Sequence, residues 1–126
     1  MESSKNLLKR KACCFTGHRS FMKDKNEINL ARLNSEIDRL IELGVSVFYS
    51  GGALGFDQVS ASIIIKKRDE GKNIELIFAL PYKNQDELWN QTQKIFYRNL
   101  LNKGNEIVYV SNTFSKDCMH QHILTA

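Results

Sequence analysis

The chain has 126 residues, of which 42% are hydrophobic and 25% charged, with one Pro and seven Gly. That is the composition of one ordinary globular domain and excludes collagen, coiled coil and disorder. Such a chain buries on the order of two-thirds of its unfolded surface, enough for a core without metal or disulfide staples. The 18 basic and 14 acidic residues leave a net charge of +4, a mild bias compatible with anionic ligands and too diffuse to define a nucleic-acid surface.

The first eleven residues are polar and basic and lack the apolar stretch of a secretory signal, and no apolar run approaches the roughly 20 residues that span a bilayer. A cytoplasmic chain without membrane insertion is expected. The three cysteines agree with this compartment: the count is odd, Cys13 and Cys14 are neighbours that point to opposite faces of a strand, and all three are expected reduced.

Four short β-rich runs follow in order: Ala12 to Thr16, ended by Gly17; Val45 to Ser50, ended by Gly51 and Gly52; Ile74 to Leu80, ended by Pro81; and Ile107 to Val110. Helical patterns alternate with them. Ile28, Leu30, Leu33, Ile37, Leu40, Ile41 and Leu43 follow three- and four-residue steps up to Gly44. Val59, Ile63 and Ile64 give a second apolar face before Lys66, Lys67, Arg68 and the stop at Gly71. In the third, Asn84 and Glu87 have capping-box spacing, and Leu88, Thr92, Ile95, Phe96 and Leu100 line one face up to Gly104. Strands joined by helical crossovers are parallel. The expected fold is a single α/β domain over residues 1–126: a Rossmann-like open parallel sheet of at least four strands with helices on both faces. Ligands of such sheets bind beyond the carboxyl ends of the strands, so the loops there are the candidate site.

The first loop carries Gly17, His18 and Arg19: a glycine that permits close backbone approach, an imidazole that donates or accepts, and a guanidinium suited to phosphate. The second runs Ser50-Gly51-Gly52-Ala53-Leu54-Gly55-Phe56-Asp57. Three glycines at a helix N-terminus make a plausible cradle for phosphate on backbone N–H groups. Its GGxxG spacing is neither the dinucleotide fingerprint nor a Walker loop. Asp57 is expected to accept hydrogen bonds from ribose or base, because a carboxylate at that helix end repels phosphate. In the third loop Tyr82 or Trp89 could stack on a base while Gln85 reads its polar edge. The fourth starts at Ser111 and holds Cys118, His120 and His122, spaced too closely for a common structural zinc site, so no metal is expected. No catalytic residue is assigned.

The segments CFTGHR, FYSGGALGFD and LPYKNQDELW, each after a successive strand, resemble the YpsA-like proteins of the SLOG superfamily, which also includes the DNA-processing protein DprA and the LOG cytokinin-activating hydrolases. The similarity runs from Cys13 through Cys118-Met119-His120. It implies a bacterial Rossmann-like protein with a pocket for a nucleotide or nucleotide derivative such as ADP-ribose or NAD, acting as a sensor, with Gly17, His18, Arg19, Gly51, Gly52, Gly55 and Asp57 at the motif positions. YpsA-like chains usually continue through another helix and strand to a further glycine-rich turn, whereas this sequence stops at Ala126, so part of the pocket is expected to be absent. The PGGxGTxxE motif of the hydrolase branch does not occur, which disfavours that activity. Single-stranded nucleic-acid binding in the manner of DprA, and a nucleotide-processing enzyme using Asp57 or His18 as acid or base, remain as alternatives. Strand four, left as an apolar edge, suggests a homodimer.

Overall fold

The computed structural model describes residues 11–16, 29–109 and 122–125, with backbone alone at 15, 16 and 122–125. It contains β1 (Lys11–Thr16), α1 (Leu30–Glu42), β2 (Val45–Ser50), α2 (Phe56–Asp69), β3 (Glu75–Leu80), α3 (Gln91–Lys103), β4 (Glu106–Tyr109) and β5 (His122–Thr125). All pairings are parallel, in the order β4-β3-β2-β1-β5. The chain steps outward from β1 to β4 and returns to the other side of β1, which places the topological switch point between β1 and β5.

Each helix is made by an apolar stripe that needs a partner. In α1 the stripe is Leu33, Ile37 and Leu40, all buried, and burying each side chain is worth about 1.5–3 kcal/mol. Asn29 caps this helix by accepting from the Arg32 amide at 3.1 Å, and Lys11 Nζ donates to the exposed C-terminal carbonyl of Leu43 at 2.8 Å. Gly44 follows with φ +99°, a left-handed turn that ends the helix as its position in the sequence predicts. Phe56, Ala61, Ile64 and Ile65 of α2 and Tyr97 and Leu100 of α3 join the same core, against Cys13, Val45, Phe48, Leu76, Phe78 and Leu80 of the sheet. The three described helices therefore share one sheet face. On the opposite face the described residues supply strand side chains, of which Ala12, Cys14 and Val47 are buried.

Val45 and Phe48 both face the helices although they are an odd number of residues apart. The pairing with β1 explains this, because Lys11 pairs with Val45 and Ala12 with Val47, leaving Ser46 as an inserted residue that resets the alternation.

Three expectations are corrected here. The third helix starts at Gln91, its cap six residues beyond Asn84, because Asn90 and Gln93 form the reciprocal capping box and 83–89 turns tightly through i→i+3 bonds from Glu87 to Asn84 and Trp89 to Asp86. The later start re-phases the helix, so that Tyr97 and Leu100 are buried while Leu88, Ile95 and Phe96 are exposed. His122, read as part of a loop, opens the strand β5, whose Cα pairs with Cys13. Cys13 is a buried thiol that donates to the Cys14 carbonyl at 3.9 Å, whereas Cys14, expected reduced, is disulfide-bonded; an odd count in the sequence does not report which thiols the fold brings together. β4 forms the sheet edge expected of it, with Ile107 and Tyr109 exposed. Among the described residues no helix is long and apolar enough to cross a membrane.

Gly104 ends α3 with φ −70°, a conformation any residue can adopt, yet a Cβ there would lie 2.6 Å from Cδ2 and 2.7 Å from Cε2 of Phe78. Phe78 is fully buried and cannot swing aside. Gly104→Ala is expected to cost about 1–3 kcal/mol by overpacking, read as a lower urea midpoint at unchanged slope, and Phe78→Leu in the same chain should recover part of the loss.

Candidate functional site

The bend after β2 lies at the carboxyl edge of the sheet, beside the end of β1, and leads directly into α2. Gly51 is half-buried and Gly52 buried, so their polar backbone groups need partners. Side chains from three segments supply them. Ser50, at the end of β2, accepts from the Gly52 amide at 3.2 Å and donates to the Asp57 carbonyl at 3.0 Å. From the first turn of α2, the Asp57 carboxylate accepts from the Ala53 amide at 3.3 Å, and Gln58 Nε2 donates to the Gly52 carbonyl at 3.0 Å. Gln85, from the turn before α3, donates through Nε2 to the Gly51 carbonyl at 3.0 Å and to the Tyr97 hydroxyl at 3.0 Å.

The glycines answer two constraints. Gly52 has φ +73°, and a Cβ there would lie 3.0 Å from Tyr97 Cε1 and 3.1 Å from Leu80 Cδ2, so the bend is pressed against α3 and β3. A Cβ on Gly51 would lie 3.0 Å from Asp57 Oδ2, which places the carboxylate directly against the peptide it organises. Gly55 differs from both: φ is +87°, it is exposed, and nothing lies within 4 Å of an added Cβ. It immediately precedes α2, which has no side-chain cap.

The expected site residues Ser50, Gly51, Gly52, Gly55, Asp57 and Gln85 thus converge on one bend. Tyr82 lies in the same loop as Gln85 and is 60% exposed. Trp89 is packed edge-on against Tyr97, with ring centroids 5.0 Å apart, and partly buried on the core, so of the two aromatic candidates Tyr82 presents its ring to solvent. Gly17, His18 and Arg19 lie outside the described residues, as do Cys118 and His120. Among the described residues no cluster of three His, Cys, Asp or Glu side chains is placed to hold a metal. Gln58 and Tyr97 are the members that sequence reasoning missed. A buried Gln in the first turn behind a glycine bend is a signal for the former; the latter emerges only when the helix is phased from Asn90.

Part of the basic cluster at the far end of α2 has structural employment. Lys67 Nζ pairs with Asp38 at 2.7 Å, and Arg68 Nη1 donates to the Lys103 carbonyl and to Asn105 Oδ1, each at 2.8 Å.

A parallel α/β sheet whose glycine bend at the carboxyl edge is organised by helix side chains defines a Rossmann-like domain with a prepared loop. Residues 13–122 match the family described as the YspA SLOG family, and the chain belongs to that family. It is 38% identical over 63 residues to an uncharacterized SPbeta prophage-derived protein, YoqJ, of Bacillus subtilis (strain 168), a match covering 50% of this chain and 37% of that protein. A UPF0398 protein of Brevibacillus brevis is 26% identical over 81 residues, 64% of this chain and 43% of its own length. Another from Bacillus pumilus is 26% identical over 82 residues, 65% and 44% respectively. The matched parts therefore span about two-fifths of each of these relatives.

Burial raises the pKa of the Tyr97 hydroxyl, the Gln85 hydrogen bond acts in the opposite direction, and the nearby Asp86 carboxylate raises it further. A tyrosine in the unfolded chain ionises near pH 10, while Tyr97 in the folded chain keeps its proton to higher pH. The folded state then binds more protons than the unfolded one, so stability contributed at Tyr97 is complete below about pH 10 and declines above it. Tyr97→Phe should flatten that alkaline decline, measured by urea unfolding across a pH series.

Proposed function

We propose that the chain binds a nucleotide or nucleotide derivative, of the kind of ADP-ribose or NAD, as a sensor-type protein, and that its phosphate is held at the Gly55 end of the glycine-rich loop. The observation that carries this reading is the contrast within the bend. Gly51 and Gly52 are filled in by the chain's own side chains, whereas Gly55 is open, exposed and left-handed at the uncapped start of a 14-residue helix. The dipole of that helix favours an anion there.

Asp57 shapes the ligand. Its carboxylate sits on the Gly51 and Ala53 side of the bend, so a phosphate is repelled from that side and directed toward Gly55, while a ribose hydroxyl can donate to Asp57. On this reading the countercharge comes from Arg19, which with Gly17 and His18 follows β1 in the sequence, and the exposed ring of Tyr82 offers a stacking face for a base. Membership of the YspA SLOG family supports a small-ligand site at this edge. Binding is sufficient for this reading, which assigns no residue to a reaction step. The pairing of Lys67 and Arg68 with protein groups leaves fewer cations for a nucleic-acid surface and favours a small ligand over a strand.

Thermal-shift and calorimetric titrations with ADP, ADP-ribose, NAD and inorganic pyrophosphate test this. Binding to the folded state stabilises it by about 2.7 kcal/mol at a ligand concentration 100 times Kd. Asp57→Asn, which retains an oxygen for the Ala53 amide, should weaken the ribose-bearing ligands by about tenfold, the loss of one charge-assisted hydrogen bond, and leave pyrophosphate no weaker. No stabilisation by any of the four at millimolar concentration overturns the proposal.

A further inference from the structure

Gln85 has three hydrogen-bonding positions, two N–H groups on Nε2 and the lone pairs of Oε1. A carbonyl oxygen only accepts, so the atom facing the Gly51 carbonyl at 3.0 Å must be Nε2, which fixes the orientation of the amide. The other Nε2 hydrogen is taken by the Tyr97 hydroxyl at 3.0 Å. Both donors are spent on the fold. Oε1 makes no hydrogen bond to a described residue, and since no buried side-chain polar atom among the described residues lacks a partner, it is in contact with solvent.

We infer that Gln85 is a specificity-determining residue that meets a ligand only as a hydrogen-bond acceptor, so that the site selects a base presenting an N–H group at Oε1. This deepens the proposed nucleotide reading and rests on it. Gly51 lies between Asp57 Oδ2, 3.0 Å from its Cβ direction, and Gln85 Nε2, 3.0 Å from its carbonyl. One residue therefore separates the acceptor assigned to ribose from the acceptor assigned to the base. An amide free to rotate would accept either a donor or an acceptor edge. Pinned at two points, Gln85 cannot offer a donor without breaking its bond to Gly51 or Tyr97, and an approaching base acceptor faces Oε1 with no hydrogen between them.

The test is calorimetric comparison of ADP with purine riboside 5′-diphosphate, which keeps the ring, ribose and phosphates and has no N–H on its base. ADP should bind about five- to tenfold tighter, the worth of one hydrogen bond at a partly exposed site. Gln85→Met removes Oε1, so in that variant the ratio should fall toward unity whatever the change in absolute affinity; a purely structural role would lower both affinities and leave the ratio alone. Equal binding of the two ligands to the unaltered chain, or an unchanged ratio in Gln85→Met, overturns this inference and leaves the nucleotide reading standing. Failure of both ligands to bind removes the nucleotide reading and this inference with it.

Discussion

Four consecutive backbone groups of the glycine bend, the Gly51 carbonyl, the Gly52 amide and carbonyl, and the Ala53 amide, are each matched to a side chain rather than to another strand or helix. That matching is the constraint on which the site depends. A buried peptide group left without a partner costs about 1–3 kcal/mol, and at Gly52, buried against Tyr97 and Leu80, there is little access to water to make good the loss. Ser50, Asp57, Gln58 and Gln85 come from the end of β2, the first turn of α2 and the turn before α3, so the bend takes its shape only when these segments are assembled. The fold and the site are in this sense one structure. The core beneath fixes where the strands end, and the polar clamp above fixes what the loop presents.

The legible part of this arrangement was the part written in local periodicity. Leu33, Ile37 and Leu40 announce α1, and four apolar runs separated by helical patterns announce the parallel sheet, because these signals need no knowledge of distant residues. Three features depended on information from elsewhere. Two Asn residues, Asn84 and Asn90, each precede a side chain that could complete a capping box, and only the packing of Tyr97 and Leu100 decides between them. The insertion at Ser46 is invisible in VSVFYS, since it exists only relative to the β1 partner. β5 is four residues long and is defined by its pairing with β1, a contact across most of the chain.

At the site, the sequence showed where glycines were required and not why each was. Gly51 and Gly52 read as donors to a phosphate, yet the Gly52 amide is used by Ser50 and both glycines are held close to neighbouring side chains, whereas Gly55 alone meets open space. Spacing cannot separate a glycine kept for tight packing from one kept for access, because both exclude a Cβ for different reasons. Gln85 was visible as a polar residue near the bend. That its donors face inward is a property of Gly51 and Tyr97 and could not be read from LPYKNQDELW.

The electrostatic character of the rim follows from the same polar accounting. With the amides of Gly52 and Ala53 and both donors of Gln85 engaged within the chain, the side chains beside Gly51 are weighted toward acceptors, the Asp57 carboxylate on one side and Gln85 on the other. The positive end of the α2 dipole lies a few residues away at Gly55. A simple inorganic anion can use only the second of these regions and is repelled by Asp57 from the first. A molecule that carries phosphate at one end and hydroxyl or N–H groups at the other can satisfy both at once, and it meets each region with the charge or donor that region lacks. On the proposed reading, the division of the bend into a filled half and an open half is why a composite ligand should bind better than either of its fragments.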